Sequence, residues 1–241
     1  NEVIKNVVIS DNVILIDTHA YNKCKRLESV KFGQSIEEIG EGSFSVCWNL
    51  KQVTVNKKLK VIGEWAFSDC DSLETLDLPD SVESIGAEAF GQSGIKEFRF
   101  PNKMKEISTG TFSTSDLEKV TLPENVEVIG GAFAQTGITE VFIPDSVTDI
   151  SPYAFDGCPR ELVLLYDNNP LVPKYAEEHN IVCVKRSEYN PVLTVELVNG
   201  KPLNDEKNQG INQEDYNLVK RRNNTDAYLS MFDVYVSNEY I

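Results

Sequence analysis

Residues 73–90 read Leu73-Glu74-Thr75-Leu76-Asp77-Leu78-Pro79-Asp80-Ser81-Val82-Glu83-Ser84-Ile85-Gly86-Ala87-Glu88-Ala89-Phe90. Leu76 and Leu78 alternate with polar residues, as a short strand with one buried face requires. Pro79 lacks an amide hydrogen, so it ends the strand and turns the chain. Val82 and Ile85 form a second apolar pair on a return segment. Gly86 marks a turn that other residues resist. Ala89-Phe90 then predicts a helical turn whose ring points inward.

The same arrangement recurs along the chain, and a period of this length signals a stacked repeat. Twenty-three residues upstream stand Val53, Val55, Leu59, Ile62 and Phe67, and twenty-three before those Val30, Phe32, Ile36, Ile39 and Phe44. The first repeat holds Val7, Ile9, Val13, Ile16 and Tyr21. Downstream the pattern continues through Phe98 to Phe112, Val120 to Phe133 and Val141 to Phe155, with the period shortened to 22 and then 21 residues. An aromatic therefore holds one phase seven times. One coil cannot bury its own apolar stripe, but stacked coils can, so the core is continuous and quasi-one-dimensional. At the usual strand spacing seven coils make a stack about 30 Å long.

Leu73-x-x-Leu76-x-Leu78-Pro79, followed by Val82-x-x-Ile85-Gly86-x-x-Ala89-Phe90, resembles the BspA-type leucine-rich repeat. The resemblance runs from residue 4 to about residue 185. It implies a mainly β solenoid with short helical turns, a right-handed β/α superhelix of about seven coils. It also implies surface or secreted proteins of host-associated bacteria and some protozoa, with roles in adhesion and protein binding. The repeat has no catalytic motif, so no active site carries over.

The expected organisation is a solenoid over residues 1–186 and a small β appendage, or the start of another domain, over 187–241. The N-terminus enters a repeat-like segment, Glu2-Val3-Ile4, with no polar cap before Val7. At the other end Asn168-Asn169-Pro170 predicts a turn and helix start. A cap helix over 171–179, with Tyr175 and Ala176 inward, and a closing strand Ile181–Val184 follow. In the appendage Val192–Val198 and Tyr228–Val236 read as strands around a polar stretch carrying Lys220-Arg221-Arg222. The chain starts at Asn1 with no basic, apolar leader, as expected of a processed secreted protein or an excised piece.

The formal net charge of −15 argues against duplex nucleic acid, whose phosphates need a basic face. No run approaches the roughly 18 apolar residues of a membrane helix. The two histidines, His19 and His179, assemble no Ser-His-Asp or Cys-His arrangement. Cys24, Cys47, Cys70 and Cys158 share one phase and read as a column of free, buried thiols; Cys183 stands apart. No Cys-x-x-Cys pair suggests zinc. Asp80, Glu124 and Asp145 follow the strand proline and read as solvated turn residues.

One surface stands out. Residues flanking the inward pair of each first strand point outward: Lys31, Gln52, Thr54, Thr75, Asp77, Glu97, Arg99, Lys119, Thr121, Glu140 and Phe142. The expected function is a non-catalytic protein-protein interaction or adhesion module of a secreted or cell-surface bacterial protein, using this strand face. The alternative is a structural spacer within a larger surface protein. The expected partner is a host protein or another surface protein. The chain is expected to be a monomer with no cofactor, no metal, no nucleic acid and no membrane insertion.

Overall fold

The computed structural model describes residues 4–189, together with the backbone of Glu196–Val198 and Asp233–Tyr235. The chain runs β1 (Asn6–Val8), β2 (Leu15–Ile16), β3 (Ser29–Lys31), β4 (Glu38–Ile39), β5 (Gln52–Thr54), β6 (Val61–Ile62), β7 (Ser84–Ile85), β8 (Glu97–Arg99), β9 (Glu106–Ile107), β10 (Lys119–Thr121), β11 (Val128–Ile129), β12 (Glu140–Phe142), β13 (Asp149–Ile150), β14 (Val163–Tyr166), α1 (Leu171–His179) and β15 (Val182–Lys185). Two further strands, β16 (Glu196–Val198) and β17 (Asp233–Tyr235), pair antiparallel. Glu2, Val3, Lys220–Arg222 and the rest of the expected appendage lie outside the described residues.

The strands form a parallel solenoid of about eight turns with little helix. Its register is the sequence period. Val7 faces Val30, and Val30 faces Val53. Phe98 faces Val120, and Val141 faces Leu164. A second column carries the return segment: Ile16, Ile39, Ile62 and Ile85 are in register, then Ile107, Ile129 and Ile150. Residues 162–166, where the repeat pattern lapses, still add a parallel strand to the stack. The cap helix α1 then packs beside β14 and β15.

The seven aromatics make a spine. Phe44, Phe67, Phe90, Phe112 and Phe133 have no exposed surface. Tyr21 stacks on Phe44 at 5.2 Å, Phe44 on Phe67 at 5.3 Å, Phe67 on Phe90 at 5.8 Å and Phe133 on Phe155 at 5.6 Å. Tyr175 of α1 closes the far end, edge-on to Phe155 at 6.3 Å.

Three features differ from the sequence reading. First, the expected helical turn at Ala89-Phe90 is not helical. Alternate amides there engage the next coil: Glu88, Phe90 and Gln92 donate to the carbonyls of Thr109, Thr111 and Ser113 at 2.9–3.1 Å. An amide used between coils cannot also donate along a helix. The backbone adopts left-handed φ twice in most coils, at His19 and Lys23, Trp65 and Asp69, Glu88 and Gln92. Second, the glycines at the Gly86 phase owe their place to crowding rather than to φ. A Cβ on Gly86 would lie 2.4 Å from the Glu64 nitrogen, and one on Gly63 2.6 Å from the Glu41 nitrogen. Third, Thr75–Asp77 forms no strand, so the first column breaks at the fourth coil. Leu76 and Leu78 still face inward. The next coil carries two rings at the inward pair, Phe98 and Phe100, crossed at 79°.

Side chains outside the core also keep register. Along one surface column Lys5, Glu28, Lys51, Glu74, Lys96 and Glu118 succeed one another, joined coil to coil by backbone bonds such as Lys51 N–H to Glu28 O. A second column runs Glu37, Lys60, Glu83, Lys105, Glu127. Lys5 meets Glu28 at 3.1 Å, Lys60 meets Glu37 at 2.8 Å and Lys105 meets Glu127 at 2.7 Å. A slip by one coil would set like charges face to face in both columns, which disfavours it.

Candidate binding face and cap cavity

The strand face is built by the period-two geometry of the first column. All its named residues are exposed except Phe142, which is half-buried. Lys31, Gln52 and Thr54 lie on the sheet β1-β3-β5, and Glu97, Arg99, Lys119 and Thr121 on β8-β10. Thr75 and Asp77 sit at the break between these sheets. There a hollow of about 350 Å³ is lined by Lys51, Gln52, Thr54, Thr75 and Asp77. A second hollow, about 500 Å³, lies over Phe100 and Leu122 between Arg99, Thr121 and Asn125.

The third sheet, β12-β14-β15, is different. Phe142 is in register with Leu165, which is buried. The chain itself covers this apolar end. The Arg186 guanidinium lies 4.1 Å above the Phe142 ring and forks onto Asp167. The Tyr189 hydroxyl donates to Glu140. Glu140 and Phe142 are thus engaged from within the chain, which nothing in the local sequence around them signals.

Two of the three post-proline acids, Asp80 and Asp145, turn out to be braces. Asp80 accepts from the Asn102 amide at 3.3 Å and from Arg99 at 3.1 Å, and these bonds lower its pKa. Asp145 accepts from the Asn168 amide at 2.9 Å, as Asp11 does from Gln34. Each links its coil to the next across 22 or 23 residues.

Two groups distant in sequence meet at the cap. Cys158 and His179 line one cavity of about 200 Å³, with Arg160 and Tyr175. His179 stacks on Tyr175 at 4.3 Å. The Cys158 thiol donates to the Phe133 carbonyl at 3.1 Å, and burial raises its pKa. A thiol so held is a poor nucleophile at neutral pH, since the thiolate is the reactive form. His19 is at the surface, 4.0 Å from Glu41. Among the described residues no cluster of His, Cys, Asp or Glu could hold a metal ion.

All five cysteines are free. Three thiols of the repeat column donate to the aromatic residue's carbonyl one coil back: Cys47 to Tyr21 at 3.2 Å, Cys70 to Phe44 at 3.3 Å and Cys158 to Phe133 at 3.1 Å. Ser115 and Thr136 fill the same phase and bond Phe112 and Phe133 instead. Burial pushes Cys47 up to about 12 and Cys183 up to about 11, and raises Cys70 well above the usual thiol range. Cys47 and Cys183 are therefore expected to react with iodoacetamide at pH 8 at least about a hundredfold slower than in denaturant, where their pKa is about 8.5. Mass spectrometry of timed alkylation checks this. A raised folded pKa stabilises the fold below about pH 8.5, and that contribution drains away as pH climbs towards 11–12. Denaturant midpoints should accordingly fall in that alkaline window.

This is the architecture of a leucine-rich repeat solenoid, and comparisons narrow the class. The description "BspA type Leucine rich repeat region" fits in six copies over residues 1–115 and 42–161. The chain belongs to the BspA-type leucine-rich repeat family. A leucine-rich repeat protein from Bacteroides ovatus is 28% identical, with a TM-score of 0.61 over 68% of this chain and 48% of that one. A leucine rich cell surface protein from Faecalibacterium prausnitzii is 30% identical, with a TM-score of 0.61 over 67% of this chain and 47% of that one. The T. pallidum Leucine Rich Repeat protein, 20% identical with a TM-score of 0.54 over 75% of this chain and 85% of that one, shares the fold. The chain spans about half the length of the first two. No curated protein matches it. The family is generally non-catalytic. Among the described residues no helix is long and apolar enough to cross a membrane.

Proposed function

We propose that the chain is a non-catalytic protein-protein interaction or adhesion module of a secreted or cell-surface bacterial protein. The observation that carries this reading is the strand face. It is a regular array of exposed hydroxyls, amides and charges of both signs, backed by a fully packed core. Two shallow hollows interrupt it, and its apolar end is sealed by the chain's own Arg186. A rigid polar face loses little entropy on binding and offers many partners for hydrogen bonds. Family membership and the surface protein of F. prausnitzii support the same location and role.

The test is capture of labelled cell-surface proteins on the immobilised chain. Lys31→Glu, Lys119→Glu and Thr121→Arg together alter the strand face. Glu38→Lys with Glu106→Lys alters the second strand column instead. Phe142 is a poor choice, because its substitution would disturb the Arg186 cover. Partners held by wild type and by the second variant are expected to be retained at least about tenfold less by the first, a cost near 1.4 kcal/mol. Equal capture by both variants would sink the strand-face assignment and leave the spacer role.

A further inference from the structure

The turn edge, opposite in character to the strand face, carries an unbalanced charge pattern. Coil one presents Lys23, Lys25 and Arg26, all exposed. Coil two presents Trp48, which is 42% exposed, with the Lys25 ammonium 4.2 Å from its ring centre. Coil three presents Asp69 and Asp71, then Glu74. The stack places Lys25, Trp48 and Asp71 in one column, and Lys23, Val46 and Asp69 in another, each 23 residues apart. Among the described residues none of Lys23, Lys25, Arg26, Asp69, Asp71 or Glu74 has an opposite charge within 4.0 Å. Ion pairs such as Lys60–Glu37 and Lys105–Glu127 join neighbouring coils, whereas at this edge the cations of coil one and the acids of coil three stand two coils apart.

We infer that this edge binds a second copy of the chain about a two-fold axis passing through Trp48. A two-fold contact needs a surface complementary to itself, in which residue i meets j and j meets i. Rotation about an axis normal to the edge reverses both the coil order and the direction along each turn. Lys25 then faces the second copy's Asp71, Arg26 falls between its Asp69 and Asp71, and Lys23 falls beside its Ser72 and Glu74. The two Trp48 rings meet at the centre, where an aromatic anchor contributes most to an interface. Every cation finds an acid and the exposed indole is covered. The occupant is chosen by this charge complementarity: no shift of the copy along the edge by one coil satisfies both signs. The surface is distinct from the strand face, which stays free in the pair. The arrangement departs from the monomer expected from sequence.

The test is sedimentation of the full chain at about 100 μM and about 0.1 M salt, where screening acts over about 10 Å. Wild type should sediment as a dimer, and as a monomer near 1 M salt, where screening acts over about 3 Å. Trp48→Ala should weaken association at least about tenfold. The decisive arms are Lys25→Glu with Arg26→Glu, and Asp69→Lys with Asp71→Lys. Lysine already occupies the equivalent left-handed position at Lys23, so the fold accepts it at 69. Each variant alone should be monomeric, since like charges then face each other. Mixed one to one, they should restore the dimer. A monomeric wild type, or a mixture that stays monomeric, overturns the inference. Capture on the strand face is unaffected by any of these outcomes.

Discussion

Phe67→Ala is expected to destabilise the chain by about 4 kcal/mol, within the range for large buried aromatics. Phe67 has no exposed surface and lies between Phe44 and Phe90, at 5.3 and 5.8 Å with near-parallel rings. The substitution removes the ring's burial, leaves a void that close-packed neighbours cannot fill, and deletes two stacking contacts at once. A solenoid holds each coil through its neighbours alone, so the damage falls on the coupling of coils two, three and four. Tyr21→Ala is the control. Tyr21 is half-buried at the end of the spine and stacks only on Phe44 among the aromatics around it. Its loss should cost roughly half as much, because less area is buried. Urea unfolding followed by circular dichroism gives both values. A smaller effect at Phe67 than at Tyr21 would show that the spine is not the element that holds the coils together.

Gly86→Ala should cost about 3 kcal/mol, a large effect for one methyl group. The added carbon would sit 2.4 Å from the Glu64 nitrogen and 2.7 Å from the Gly63 carbonyl carbon. Both are backbone atoms and cannot rotate aside. The fourth coil must lift off the third, which strains the 2.8 Å bond from the Gly86 amide to Ile62. Gly91→Ala is the matched comparison: the nearest atom to its Cβ is 3.4 Å away, and its φ is an ordinary one. It should change stability by less than about 1 kcal/mol. A thermal melt separates the two, since 3 kcal/mol is about 6–12 °C in a chain of this size. Equal melting temperatures would contradict the crowding account of the repeat glycines.

Much of the fold was legible because a solenoid makes long-range contacts periodic. Val30 lies beside Val53 for the same reason that Val7 lies beside Val30, so one period read along the chain yields the register of the first three coils. The seven inward aromatics followed directly. The fourth coil was misread as a strand because Leu76-x-Leu78 is an ideal strand pattern in isolation. In the stack Leu76 and Leu78 face inward while the segment pairs with neither neighbouring coil. The alternating columns Lys5 to Glu118 and Glu37 to Glu127 repeat every two coils, twice the period of the apolar pattern.

The candidate face was legible in which residues point outward and not in which are free. Sequence alternation placed Phe142 outside. Arg186, forty-four residues later, covers it, and no local pattern links the two. Cys158 and His179 likewise meet only because α1 folds back over the last repeat.

By itself the sequence determined the period, the inward positions, the parallel register and the family, because each depends on side-chain polarity repeated at a constant spacing. The tertiary structure alone decided why glycine stands at position 86, which turn residues take left-handed φ, what covers Phe142 and which charges lack a partner. Those depend on how closely one coil approaches the next, a distance set by packing across the stack and not by the order of residues along the chain.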